Sequence, residues 1–245
     1  MTTSRTTNTV TVSKSLLAIV GSIAALGLLG GTFALGMISA GPASSRSASG
    51  GTQSVTPGTT TTSTAPTGTT STAGGPFAVG RTVNFQTPVL NLTGRKTTLA
   101  RGSKGTIIVA MASWCLYCGY DDKYVMPLLA KTPGVAIDIV DISPQGGIAD
   151  PGPQNPPFSG HDGTGGALTT AGMESIMRQY VTTYGTLNAS NIHVYVAPTR
   201  TQTAWNVQST PTIAYVSANG KTVVAPPGAQ TISQAQSALK QTMGN

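Results

Sequence analysis

Residues 15–40 carry no charge and few polar side chains, and the chain on either side of them is patterned quite differently. As a helix that run measures about 36 Å or somewhat more, enough to cross a bilayer core of roughly 30 Å. Residues 41–76 show no apolar period: they are Thr, Ser, Gly, Pro and Ala with a single charge, Arg46. Such a segment has nothing to bury against the entropy of ordering, so it reads as a disordered linker spanning on the order of 30–35 Å. From Phe77 onward short apolar runs alternate with amphipathic stretches, the pattern of a folded domain over 77–245.

Within that domain, residues 83–85 and 89–92 predict short strands with a turn at 93–96. Residues 106–111 form a compact apolar run suited to a central buried strand, and 135–140 predict the next one. A helix is expected to start at Cys115 and run past Tyr124 toward Ala130. Residues 143–168 are rich in Gly and Pro and predict an irregular insertion. Residues 171–184 predict a helix with Met173, Ile176, Met177, Tyr180 and Val181 on one side, and 192–196 a strand. Asn219-Gly220 between the apolar runs 212–216 and 221–224 is a hairpin signal. Ile232, Ala235 and Leu239 mark a last helix over 232–243. Strands alternating with helices predict an α/β fold, a sheet with helices on both faces.

Composition adds a boundary. The 245 residues carry only 9% charged side chains, against roughly 25% in an ordinary soluble domain. That admits two readings: a chain that works in acidic surroundings, or compositional drift beside a Thr-rich linker. The formal charge of +7 reflects a shortage of acids, and Arg46, Arg81, Arg95, Lys96, Arg101 and Lys104 form no dense run. Nucleic acid is therefore not an expected partner. Arg5 and Lys14 precede the apolar run, so residues 1–14 read as a cytoplasmic tail, 15–40 as a transmembrane signal anchor, and the rest as extracytoplasmic. The rival reading is a signal peptide cut near Ile38-Ser39-Ala40, which would release a secreted protein; the run exceeds the about 7–15 apolar residues such signals need.

The chain has two cysteines, Cys115 and Cys118. A disulfide-stapled secreted domain would have more, at longer spacings. Positions i and i+3 on a helix bring two Cα atoms to about 5–6 Å, within disulfide range. The helix start favours a thiolate at Cys115, and Cys118, one turn in, can then attack the mixed disulfide. Trp114 is expected to pack beside the sulfurs and shape a docking face. Three other readings compete. Zinc wants four ligands, and the only histidines, His161 and His193, are distant in sequence. Haem attachment needs C-x-x-C-H, but Gly119 follows Cys118. A static disulfide would close a loop too short to restrain the unfolded chain by much. A binding module, holding a metal or partner without redox turnover, stays open as the alternative to an enzyme; cycling with small dithiols would favour the enzyme, stoichiometric metal the module.

Ala112-Ser113-Trp114-Cys115-Leu116-Tyr117-Cys118 after an apolar strand resembles the active site of the thioredoxin superfamily. Ser209-Thr210-Pro211-Thr212, leading into a strand and then Asn219-Gly220-Lys221, is similar to that superfamily's cis-proline strand and hairpin. Residues 83–99 resemble the N-terminal hairpin of TlpA/ResA-type proteins, membrane-anchored extracytoplasmic thiol–disulfide oxidoreductases. The resemblance implies a central mixed sheet with flanking helices, exchange on protein thiols and disulfides, and no cofactor or metal beyond the cysteine pair. It implies that Pro211 is cis and lies against the sulfurs, and that the Thr210 backbone pairs with the client. It admits a membrane electron donor or acceptor as a further partner.

Departures from the pattern leave chemistry to be found. The acid expected six residues before the first cysteine is Val109, so no proton acceptor for Cys118 is identified. The helix proline is Pro127, four residues later than usual. Leu116-Tyr117 is neither the thioredoxin nor the DsbA dipeptide and leaves the potential open. Ala112 replaces the Thr that a peroxidase needs. Asp121 and Asp122 read as stabilisers of the helix dipole rather than catalysts. His161 and Asp162 in the insertion have no expected role, and His193 reads as structural.

Overall fold

The computed structural model describes residues 74–244; the tail, the anchor and residues 41–73 of the linker lie outside the described residues. Seven strands are present: β1 Pro88–Asn91, β2 Lys96–Thr98, β3 Gly105–Met111, β4 Val135–Asp141, β5 Ile192–Val196, β6 Thr212–Ser217 and β7 Thr222–Val224. A helical run follows β3 as α1 Leu116–Tyr120, a π-helical turn Asp121–Val125 and α2 Met126–Leu129; then come α3 Thr170–Tyr184, α4 Thr199–Trp205 and α5 Ile232–Met243. The strands form one mixed sheet in the order β2-β1-β5-β4-β3-β6-β7. β3, β4 and β5 are parallel, while β6 and β7 continue antiparallel beside β3 and the β1–β2 hairpin closes the other edge.

All seven residues of β3 and all seven of β4 are buried, which requires cover on both faces of the sheet. The pleat divides them. Ile107, Val109 and Met111 join Ile137 and Ile139 in a core with both cysteines, Met173, Met177, Tyr180 and Leu239. Ile108 and Ala110 face a smaller core with Phe77, Val89, Tyr195 and Trp205. Each large aliphatic side chain so buried contributes about 1.5–3 kcal/mol. This is the thioredoxin-like arrangement of a mixed sheet with flanking helices.

Three expectations are revised. Residues 83–85 are not a strand: Thr82 makes a single bridge to Lys221. Asn84 then turns the chain, its Oδ1 accepting from Gln86 N–H and its carbonyl from Thr87. α4 was not expected; only Thr201 and Trp205 of its seven residues are buried. The helix expected from Cys115 to Ala130 contains the π-helical turn. At the start of the described residues, Gly74 N–H bonds to Trp205 O at 2.8 Å and Phe77 packs edge-on against the Trp205 ring.

Four of the seven acidic residues, Asp121, Asp122, Asp138 and Asp141, have no exposed surface. Each has one carboxyl oxygen without a hydrogen-bond partner, and none is in a salt bridge among the described residues. Among the described residues no helix is long and apolar enough to cross a membrane.

Candidate functional site

β3 ends at Met111, and the chain turns once before the helical run. Cys115 N–H bonds to Ala112 O at 3.0 Å, closing that turn. Cys115 then caps α1: its φ and ψ are extended, and its Sγ accepts from Cys118 N–H at 3.4 Å. The two sulfurs are not bonded to each other. Cys115 keeps 4% of its surface exposed and Cys118 none.

That placement separates the two thiols electrically. The Cys118 thiol and backbone N–H donate toward Cys115 and, outweighing burial, push its pKa down to about 6. Burial pushes Cys118 far up, and its bond to Cys115 and the Cys115 charge add to the effect. One sulfur is thus an anion near neutral pH and the other a protonated thiol held in reserve, the division thiol exchange requires.

β6 runs antiparallel to β3 with Thr212 opposite Ala110, which brings the residues before Thr212 to the sulfurs. Thr210–Pro211 is a cis peptide, and Pro211 is buried. The Cys115 thiol reaches the Thr210 carbonyl at 3.4 Å. Trp114 is half-buried against the core, with its indole N–H donating to Ser143 Oγ at 2.8 Å. The five residues picked out in the sequence, Trp114, Cys115, Cys118, Thr210 and Pro211, therefore lie in one neighbourhood.

The 143–168 insertion surrounds this neighbourhood from the helix side. Ala149 N–H bonds to Ser113 O at 3.0 Å and Gly163 N–H to Trp114 O at 2.7 Å. Asp162 Oδ1 accepts from Leu116 N–H at 2.8 Å, occupying one of the free donors at the helix start. Tyr124 donates to Gly152 O at 2.7 Å, and Phe158 packs against Tyr117 and Tyr120. His161 faces Asp150 at 3.8 Å within the insertion. The insertion has no helix or strand, yet it contributes a carboxylate to the start of the cysteine helix. The Gly- and Pro-rich sequence holds no signal for that contact.

Asp121 and Asp122 do not stand at an exposed helix start; they lie inside. A π-helical turn widens the helix locally and commonly sits at functional positions. Here it carries two adjacent carboxyls, both buried. Asp121 Oδ1 accepts from Gln230 N–H at 3.2 Å. Asp122 Oδ2 accepts from the Tyr180 hydroxyl at 2.7 Å. Burial pushes Asp122 up to about 7 against the pull of that hydroxyl, and raises Asp121 well above the carboxylate range. Gly119 sits between them and Cys118, and a side chain there would collide with the Tyr184 hydroxyl.

Among the described residues no group of three or more His, Cys, Asp or Glu side chains is placed to hold a metal ion. His193 lies on β5 opposite Asp138, away from the cysteines in the sheet register. A surface hollow lined by Pro226, Gln230 and Ser237 runs along α5 and includes neither cysteine.

No protein-family model and no curated protein matches this chain. Solved structures similar to it include a secreted disulfide oxidoreductase of Mycobacterium tuberculosis homologous to E. coli DsbE, 16% identical over 64% of this chain and 96% of that one, with a TM-score of 0.43. A thioredoxin-like protein from Aeropyrum pernix is 17% identical over 62% and 87%, with a TM-score of 0.43. A thiol:disulfide interchange protein of the thioredoxin family from Chlorobium tepidum TLS is 17% identical over 68% and 100%, with a TM-score of 0.42. The strand order, the cysteine pair at the head of its helix and the proline-led strand beside it make the fold of residues 74–244 thioredoxin-like.

Proposed function

We propose that this chain is a thiol–disulfide oxidoreductase acting on protein clients outside the cytoplasm. The observation that carries the reading is the unequal state of two thiols three residues apart: Cys115 down to about 6, Cys118 buried and held high. In this reading Cys115 attacks a client disulfide and forms a mixed disulfide. Cys118 then attacks Cys115, releases the client thiol and leaves the Cys115–Cys118 disulfide. Thr210 and Pro211 form the ledge along which the client backbone lies, and Trp114 the apolar wall beside it. The cysteine pair supplies the redox chemistry without a further cofactor. The charge-free run at 15–40 and the basic residues before it support a single-pass anchor with the domain outside, where a membrane electron donor or acceptor can reset the pair.

The test is trapping. In cells expressing Cys118→Ser, clients should accumulate as mixed disulfides on Cys115, and Cys115→Ser should trap none. Equal trapping by the two variants, or none by either, overturns the reading. Protease added to intact cells should cut the linker; full protection would place the domain on the wrong side.

A further inference from the structure

The proposed exchange needs a group to take the proton from Cys118, which is fully buried and protonated when its turn comes. β3 carries no acid, and its Val109 is part of the apolar core. The helical run supplies a candidate from the other side. Cys118 lies in α1 and Asp122 four residues on, in the π-helical turn that continues it, and both are turned inward. Both are fully buried, and Asp122 Oδ1 has no hydrogen-bond partner. A buried, unpaired carboxyl oxygen costs stability, and such groups in folded proteins call for an explanation. Asp122 Oδ2 is held by the Tyr180 hydroxyl at 2.7 Å, and the Tyr180 ring packs edge-on against Tyr184 at 4.3 Å. The carboxyl is therefore fixed, with one oxygen engaged and one available.

We propose that Asp122 is the proton acceptor for Cys118, held in place by Tyr180 as a positioning residue. The inference rests on the exchange reading above. The step balances as follows. With Cys115 in a mixed disulfide, the Cys118 thiol gives its proton to Asp122 Oδ1, and its sulfur attacks Cys115 Sγ. The bond between Cys115 and the client sulfur breaks, the client leaves as a thiolate, and the Cys115–Cys118 disulfide forms. The two electrons pass from the cysteines to the client disulfide, the only oxidant required.

The arrangement also sets the timing. Burial is what chiefly holds Asp122 and Cys118 in their protonated forms, and while Cys115 is a free thiolate its charge adds to the effect. Once Cys115 is capped by the client that charge is gone. Asp122 then ionises more readily, and Cys118 gives up its proton more readily, at the moment the proton has to move.

The test uses the full-length reduced chain and a symmetric aromatic disulfide whose two nitrothiolate halves are coloured on release. The first release reports attack by Cys115 and the second reports attack by Cys118, both followed from pH 5 to pH 9. The wild-type second phase should rise with pH and level off as Asp122 ionises. In Asp122→Asn the first phase should keep its pH profile. The second should fall about 100-fold at pH 7, the scale of one lost acid–base catalyst, and climb with pH without levelling. A second phase with the wild-type shape, scaled or unscaled, overturns the proposal. Should the Asn variant not fold, Tyr180→Phe decides: loss of the hydroxyl should move the rising limb to higher pH, and an unmoved limb overturns it. Absence of the first phase in the wild-type chain would instead sink the exchange reading itself.

Discussion

The central strands and the 143–168 insertion both close on the cysteine helix, but they hold it by different means. β3 and β4 are buried over their whole length and locked in register with each other and with their neighbours. The insertion is held by separate backbone bonds to Ser113 and Trp114, a carboxylate on Leu116 N–H and tyrosine contacts. The strands fix where the sulfurs are; the insertion fixes what surrounds the start of their helix. A change in the first should be felt by the whole fold, and a change in the second by Cys115 and its neighbours.

That contrast can be broken at several points, and the largest effect should come from the sheet. Ile137, fully buried in the middle of β4, becomes a cavity in Ile137→Ala and should cost about 2–5 kcal/mol, read as a lower urea midpoint with an unchanged slope. Tyr124→Phe removes only the hydroxyl on Gly152 O and should cost about 1 kcal/mol, read as faster amide exchange around residues 150–160 with the sheet amides unaffected. A loss spread over the sheet would erase the distinction. Asp162→Ala removes a negative charge from the helix start and should make the smallest change. The alkylation midpoint of Cys115, expected near pH 6 in the wild type, should move down by less than about one pH unit. The reduction potential sharpens the same point: a Cys115 thiolate stabler than that of thioredoxin and weaker than that of DsbA predicts a value between about −270 and −120 mV.

The parts legible in the sequence are those where a periodic pattern has one structural solution. The apolar runs at 106–111 and 135–140 could only be buried strands, and Asn219-Gly220 between two such runs made the β6–β7 hairpin plain. Cys115 and Cys118 were picked out by their spacing and flanks, and Pro211 through the resemblance of its strand to a cis-proline strand. α4 was missed because only Thr201 and Trp205 face inward in an otherwise polar segment. Asp121 and Asp122 were misread for a different reason. Two charged residues early in a helix ordinarily face water, and no property of the sequence announces the π-helical turn that carries both in the interior. The insertion was legible as irregular, but its backbone contacts to Ser113 and Trp114 leave no side-chain signature to read.

The four buried aspartates make folding itself a proton-consuming reaction. An extended chain ionises them near pH 4. In the fold, burial raises Asp138 and Asp141 to about 8 and Asp122 to about 7, and raises Asp121 as well. Between those limits the native state binds more protons than the unfolded one, so stability is fully present below about pH 4 for these groups and drains away as pH rises through 7 and 8. The domain should therefore melt at a higher urea concentration at pH 5 than at pH 8, and Asp138→Asn should flatten that slope. A chain that folds above about pH 4 would draw protons from its surroundings as it does so. The scarcity of acids in the sequence then has a thermodynamic counterpart: most of the few carboxyls that remain act as protonated interior groups rather than as surface charge.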